Sequence, residues 1–595
     1  MTVPHADQLD ARGYSYCCAS EPQLPVWFYE TQLDEAMSAR VLAGGLPEAG
    51  WDWRWSHDPE VWHRAPDTGR TWPRQFFGSI PYREGNPHGD VRRVWEPSRL
   101  QQLVVLARIA VQGDVSLRER AVGAMEAQFL SWIDANPYLT GAHYVSAMEC
   151  GLRLIAVCHA FDQVRAWLRQ PDRVWPAVVR LVEGHAELIR QRVSLYSSLG
   201  NHTIAEATAL VYAGVLFPEM PHAAQWRMTG LTLLESESSH QVLEDGGGIE
   251  QGVCYLKFIS DLYGLVMALL ESRGERIPDG VQRACTKSRT FLAAMTDDAG
   301  GLASIGDGDG GYALDPALDF SPARQARAPG LTTFEESGYS LLESVGISPA
   351  RLILDHGPLG MAPCYAHGHA DALSVLFRTG GQDILVDSGT FTYSGDPDWR
   401  RYFRGTSAHN TVVVDGLDQA VQETAFQWSS PFTSRRVCRA ECANGETILI
   451  AMHDGYLGRA GVVHWRGIIY RSPGWWAIVD RLTGSGTHEV ELNWHLGLTP
   501  IPDGNEYVLE GANSRIRLTV EGGMAAVHRG QTAPILGWRS SSYGMKEPVA
   551  VLHVTYQGAL PHDFVTCLVT RDHDVAERQA AVSSLRKVMY EAQTH

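Results

Sequence analysis

HGHADALSVLFRTGGQDILVDSGTFTYSGDPDWRRYFRGTSAHNTVVVDGLDQ, residues 367–419, alternates short apolar runs with breaks of Gly, Asp and Ser. Leu373–Phe377, Ile384–Val386 and Thr411–Val414 read as short strands separated by turns. His367, His369, Asp387 and His409 sit on or beside them. His369 and Asp387 are 18 positions apart (387 − 369) and Asp387 and His409 are 22 apart (409 − 387), so neighbouring strands can bring them together as metal-ligand or proton-transfer side chains.

Downstream the same texture continues through Thr447–Met452, Val462–Tyr470, Trp475–Val479, Val490–His495, Ile516–Val520, Val549–Tyr556 and Phe564–Val569. Many short strands with Gly, Asn and Asp between them predict an antiparallel sandwich or layered sheet. Upstream the period changes. Apolar residues recur at helical spacing in Leu103–Val111, Leu117–Ile133, Val145–Val164, Val174–Leu195, Ile204–Leu216, Met228–Leu243, Ile249–Leu270 and Val281–Met295. Successive helices must bury their faces on one another, as a bundle or an α/α toroid of hairpins. The expected fold is therefore α+β and multidomain: an aromatic-rich segment 1–99 (Trp51, Trp53, Trp55, Trp62, Trp72, Phe76, Phe77) packing on the helices, a helical domain 100–320 and an antiparallel β domain 332–595. Ser304–Gly311, SIGDGDGG, reads as a tight Gly turn opening a linker that ends near Leu331; it lacks the Glu twelve positions on that an EF-hand needs.

At 595 residues the chain is too long for one core. Its formal net charge of −18 argues against a nucleic-acid partner, which requires a basic footprint. A polyanionic ligand would need positive charge gathered in a cleft, for which Arg400, Arg401 and Arg404 are candidates. The ten cysteines are scattered, with Cys17–Cys18 adjacent and Cys438 and Cys442 four apart, so reduced thiols are the simplest reading. The sequence as written shows no export signal and no membrane span, so a cytoplasmic protein is expected, or a periplasmic or secreted one if a signal has been removed.

Two constellations stand out in the helical half. In Gly200-Asn201-His202-Thr203-Ile204-Ala205-Glu206, Thr203 and Glu206 have capping-box spacing, which would leave Asn201 and His202 just outside a helix N-terminus suited to an anionic carboxylate. Glu244–Gln251, EDGGGIEQ, would open a further helix with Tyr255 in its second turn, either as core or, with its pKa lowered by nearby positive charge, as a proton shuttle. One helix separates the two, so Asn201 and Tyr255 can face one cavity.

Taken together, WEPSRLQQL (Trp95–Leu103), NHTIAEATALVYAGVLFPE, EDGGGIEQGVCYLKF, HGHADALSVLF and LVDSGTFTYSGDPDWRRYFRGTSAHNTVVVDGLDQ resemble the heparinase II/III family of polysaccharide lyases, in the family's order across residues 90–500 or so. The resemblance implies an α/α toroid followed by an antiparallel sheet domain, with the site in the cleft between them. It also implies β-elimination at uronic acid residues of an acidic polysaccharide or oligosaccharide, glycosaminoglycan-like or of the alginate and exopolysaccharide type. By the same resemblance Asn201 and His202 neutralise the uronate carboxylate, and Tyr255 and His367 are the catalytic pair. His369, Asp387 and His409 would hold a divalent metal, zinc first, with manganese or calcium as alternatives. Trp95, Arg99, Glu250 and Arg404 are the expected substrate-binding side chains. Two rival readings on such a fold are a glycoside hydrolase, with Glu206, Asp245 and Glu250 as its acids, and a carbohydrate-binding protein that has lost activity.

Overall fold

The computed structural model describes all residues except 1–9, 26–31, 49, 51, 197, 321–328, 345–348, 442–444, 472–473, 571–574 and 595. Trp51, Cys442 and residues 321–328 of the expected linker lie outside the described residues. Cysteines among the described residues are free thiols.

Among the described residues, eight long helices follow the N-terminal segment: α1 (Gln102–Gln112), α2 (Val115–Ala135), α3 (Ala147–Val164), α4 (Pro171–Gln191), α5 (Asn201–Leu216), α6 (Ala223–Gln241), α7 (Val253–Ser272) and α8 (Asp279–Met295). Local signals fix several starts. Asp114 accepts the Leu117 N–H at 2.8 Å ahead of α2, and Pro171 occupies the first turn of α4, where its missing N–H costs nothing. Each odd-numbered helix pairs with the next as a hairpin. Contacts then run α1 to α3 to α5 to α7 on one side and α2 to α4 to α6 to α8 on the other. The result is a double-layered α/α toroid. Every residue of α3 is buried, and α5 and α7 are apolar over most of their circumference, as inner helices covered all round must be.

The second half is two antiparallel sheets. One has nine strands in the order Gly330–Phe334, Tyr339–Ser344, Ala350–Asp355, Val375–Thr379, Gln382–Leu385, Thr487–Leu496, Ala550–Ala559 and Met524–Arg529, with Val412–Val414 also paired to Thr487–Leu496. The other has eight, from Pro500–Asp503 through Glu506–Glu510, Arg515–Glu521, His562–Val569, Trp475–Thr483, Val463–Arg471 and Glu446–His453 to Ser434–Glu441. Phe377, Trp476, Trp494 and Leu552 fill the space between them, with Phe377 and Trp476 meeting edge to face at 4.8 Å. A short helix α9 (Pro397–Arg404), capped by Asp396, projects toward the toroid, and a final helix α10 (Val575–Thr594) covers the outer face of the eight-stranded sheet with Leu585 and Met589.

The nine-stranded sheet packs on the toroid. Phe291 of α8 stacks edge to face on Phe334 and Tyr339, and the Asp245 carboxylate accepts the N–H groups of Glu336 and Ser337 at 2.8 Å. In the N-terminal segment Trp53, Trp62, Trp72 and Phe77 are buried while Phe76 is exposed; Trp62 donates its indole N–H to Ser131 of α2. The N-termini of α5 and α7 open toward the cleft between the halves.

Candidate active site

One wall of the cleft is the N-terminus of α5. Gly200 enters it with φ +119°, and a side chain there would collide with the Glu250 carboxylate, so two independent constraints demand glycine. Asn201 is the first helical residue, not an outside one as expected. The expected capping box is absent: Thr203 bonds the Ser194 carbonyl, and Glu206 accepts the Ser194 N–H and hydroxyl at 2.7 and 2.8 Å. Both side chains are buried against the incoming chain and so tie down the 192–195 segment rather than each other. The Glu250 carboxylate takes the cap position, accepting the Asn201 backbone N–H at 3.2 Å and its Nδ2 at 3.1 and 3.2 Å. Burial pushes the Glu250 carboxyl up. His202 faces the same space, its imidazole pushed down to about 4 by burial and by His367, so it is neutral.

Tyr255 lies in the first turn of α7, which begins at Val253; Gly246–Gly248 turn back in a loop bridged from Val242 to Gly248, and this delays the helix. Its hydroxyl lies 2.6 Å from the Tyr393 hydroxyl and 3.3 Å from Asp309 Oδ2. Its ring stacks on His367 at 3.9 Å between centroids. The phenol does not have the lowered pKa that nearby cations would produce. Burial, then Asp309 and Asp307, raise it well above the ordinary value, and Tyr393 and Arg92 offset only part. Tyr255 is a protonated phenol.

His367 comes from the β domain, yet its Nε2 lies 3.3 Å from Asn201 Nδ2 and 3.8 Å from Glu250 Oε1. Its Nδ1 lies 3.1 Å from Asp307 Oδ2. Asp307 belongs to the SIGDGDGG stretch, which is not a bare linker turn: it threads between the two halves, and its aspartates carry the polar framework of the site. Asp307 is fully buried and also bonds Arg400 at 2.5 and 2.7 Å and His369 Nε2 at 3.0 Å. Burial alone would raise its carboxyl; the Arg400 guanidinium, with the two imidazoles, holds it well below the usual range. Asp309 pairs with Arg92. Asp307, Asp309, Arg92 and Tyr393 escaped the sequence reading, although Tyr393 lies inside the quoted 367–419 stretch.

The expected substrate-binding residues divide. Glu250 is in the site. Arg99 is buried and fully engaged, bidentate to Glu149 at 2.7 and 2.8 Å and bonded to Glu96 at 2.9 Å. Arg404 is likewise buried, bonding the carbonyls of Thr424, Ala425 and Ala366 over the Trp428 ring. In both cases burial turns the guanidinium to protein partners, although the Arg404 Nε is left without one. Half-buried Trp95 spends its indole N–H on the Ala142 carbonyl. Arg400 is locked on Asp307, while Arg401 stays exposed near Asp398.

Behind His367, ligand atoms of His369, Asp387 and His409 lie within 4.8 Å of one another, all three residues buried. His409 Nδ1 contacts Asp387 Oδ2 at 2.7 Å. His369 Nδ1 and His409 Nε2 are buried without a hydrogen-bond partner, which is costly in a finished core and ordinary for nitrogens kept for a cation. Burial pushes His369 down to about 4, so it is neutral as a ligand must be. Two imidazoles and a carboxylate fit a divalent transition metal.

Residues 105–295 match the model described as heparinase II/III N-terminus, and residues 326–582 the model described as heparinase II/III-like, C-terminal. A heparin-sulfate lyase of Bacteroides stercoris is 23% identical over 384 residues, 59% of this chain and 54% of that protein. One of Pedobacter heparinus is 22% identical over 326 residues, 51% and 47%. The chain spans about half the length of the curated relatives it matches. A crystal structure of heparinase III shares the fold, with TM-score 0.70 at 17% identity over 94% of this chain and 89% of that one. With both family models in sequence along it, the chain belongs to the heparinase II/III family.

Proposed function

We propose that the protein is a polysaccharide lyase that cleaves a uronate-containing, glycosaminoglycan-like chain by β-elimination, leaving a 4,5-unsaturated uronate end. The observation that carries this reading is the meeting of Asn201, Tyr255 and His367, from two halves of the molecule, within reach of one pyranose ring. The heparin-sulfate lyase names of the relatives favour a heparan-type polymer over alginate.

The C5 proton of a uronate is too weakly acidic to leave while its carboxylate keeps full charge. Asn201 Nδ2, the α5 N-terminus and His202 supply donors where negative charge grows as C5 becomes enolate-like. His367 Nε2, with its lone pair toward the cleft, takes the C5 proton. The electron pair forms C4=C5, the C4–O4 bond breaks, and Tyr255, held as a protonated phenol, gives its proton to O4. The proton on His367 then restores Tyr255, so no water is consumed. Because the two rings stack, acid and base approach the sugar from one face, which favours syn elimination.

The hydrolase reading needs a free pair of carboxyls. Glu206 is bonded to Ser194, Asp245 to the 336–337 backbone and Glu250 to Asn201. For the metal we propose zinc, held by His369, Asp387 and His409, where it would stiffen the loops that present His367 and add positive charge near the site. The test is incubation with a panel of uronate polymers, following ultraviolet absorbance of the conjugated product. Fragments with new reducing ends and no added absorbance would overturn elimination.

A further inference from the structure

We propose that Asp307 is a positioning residue that sets the ring tautomers of His367 and His369 together, so that one carboxylate aligns the base and readies the metal site. The His367 half rests on the lyase reading above; the His369 half does not.

Asp307 is placed by its backbone as well as its side chain. Its N–H donates to the His367 carbonyl at 2.8 Å, and Gly306, at φ +64°, lets the chain pass close to the carbonyls of Gln251 and His367. Arg400 grips both carboxylate oxygens, which keeps them acceptors only. Each oxygen also faces one imidazole nitrogen: Oδ2 faces His367 Nδ1 at 3.1 Å and Oδ1 faces His369 Nε2 at 3.0 Å. Both of those nitrogens must therefore carry the hydrogen.

The consequences fall on the opposite edges of the rings. His367 is left with a lone pair on Nε2, the atom that receives the Asn201 amide at 3.3 Å and faces the cleft. His369 is left with a lone pair on Nδ1, which is buried and has no hydrogen-bond partner; it is the nitrogen available to a cation. A carboxylate behind a ligand histidine commonly orients it and raises its basicity. Here the same carboxylate also orients the neighbouring base, two residues away along the chain.

Asp307→Asn tests this, because an amide offers one acceptor and one donor and satisfies only one ring in its present tautomer. In the purified full chain, zinc affinity measured by competition with a chromophoric chelator should fall roughly 10- to 100-fold, and kcat on the uronate substrate should fall by a similar factor with KM little changed. A folded variant with unchanged zinc affinity and kcat would overturn the proposal. Lost zinc affinity beside a wild type that forms no unsaturated product would support the His369 half and sink the lyase reading instead. Should the variant not fold, nitrogen NMR of wild-type protein labelled at histidine decides: Nδ1–H on His367 and Nε2–H on His369 support the assignment, and the reverse tautomer on either overturns it.

Discussion

The hydroxyls of Tyr255 and Tyr393, one from the toroid and one from the β domain, lie 2.6 Å apart. Burial, with Asp309 and Asp307, keeps the Tyr255 phenol protonated against the opposing pull of Tyr393, whose hydroxyl fixes its direction. Tyr255→Phe should lower kcat on the order of 100- to 10,000-fold with substrate binding largely kept, since only the proton donor is lost. Tyr393→Phe removes one hydrogen bond to that donor, about 1 kcal/mol, and should cost roughly five-fold. Steady-state kinetics with calorimetric binding checks both; a Tyr255→Phe enzyme at full rate removes the acid assignment.

On the proposed reaction Asn201 meets two demands, holding Glu250 in this structure and a substrate carboxylate in turnover. Asn201→Ala should lower kcat on the order of 100- to 1,000-fold, the usual loss for one preorganised donor at a developing oxyanion. Asn201→Asp should be worse, because it sets a second carboxylate against Glu250. The comparison requires matched thermal unfolding of the two variants, and equal rates for both would argue against charge stabilisation at this position.

Much of this was legible in the chain itself. The eight helical segments stand out as long apolar runs bounded by polar or Gly/Pro breaks, and His369, Asp387 and His409 lie in loops flanking short strands, where composition already marks turns. The start of α7 was misplaced by four residues, Ile249 for Val253, because a glycine loop and an apolar residue look like a helix opening until the Val242–Gly248 bridge is known. Asp307 and Asp309 were hidden in GDGDGG, whose glycines read as a turn; their role depends on Arg92, Arg400 and His367, distant in sequence. The partners of Arg99 and Arg404 were hidden for the same reason: charge is visible in a sequence, but what it pairs with is not.

Glu206 gives the fold a pH dependence. Burial raises its carboxyl from 4.5 to about 7 even with two donors from Ser194. A raised folded-state value means the native state holds the proton more tightly, so its stabilising contribution is complete below about pH 4.5 and is lost as pH rises through 7. The full span is on the order of 3 kcal/mol. Unfolding midpoints measured from pH 5 to 8 should fall for wild type, and Glu206→Gln should flatten that slope; an unchanged slope would assign the dependence to other groups.

If His369, Asp387 and His409 hold zinc as proposed, breaking the cluster should act on stability as well as on rate. His409→Ala takes away one imidazole and leaves Asp387 without its 2.7 Å partner. Zinc retained after dialysis, read by elemental analysis, should fall well below one per chain, and the thermal shift produced by added zinc in wild type should disappear. A ligand present at a thousand times its Kd stabilises by about 4 kcal/mol, so the shift is measurable. A His409→Ala protein that still binds zinc stoichiometrically would place the cation elsewhere.

Arg466 ties the second sheet to the loops beside His409. It pairs with Asp480 at 2.6 and 3.0 Å with both residues fully buried, and its remaining donor reaches the carbonyls of Leu373 and Asn410, the latter next to His409. Arg466→Met leaves Asp480 buried with only His464 opposite it, so unfolding free energy should drop by about 3–5 kcal/mol. The double variant Arg466→Met/Asp480→Leu should recover much of that in denaturant titration, because no isolated charge remains. It should not recover zinc affinity, since nothing then holds the Asn410 carbonyl; restoration of both together would mean that Arg466 matters to the loops beside His409 only through global stability.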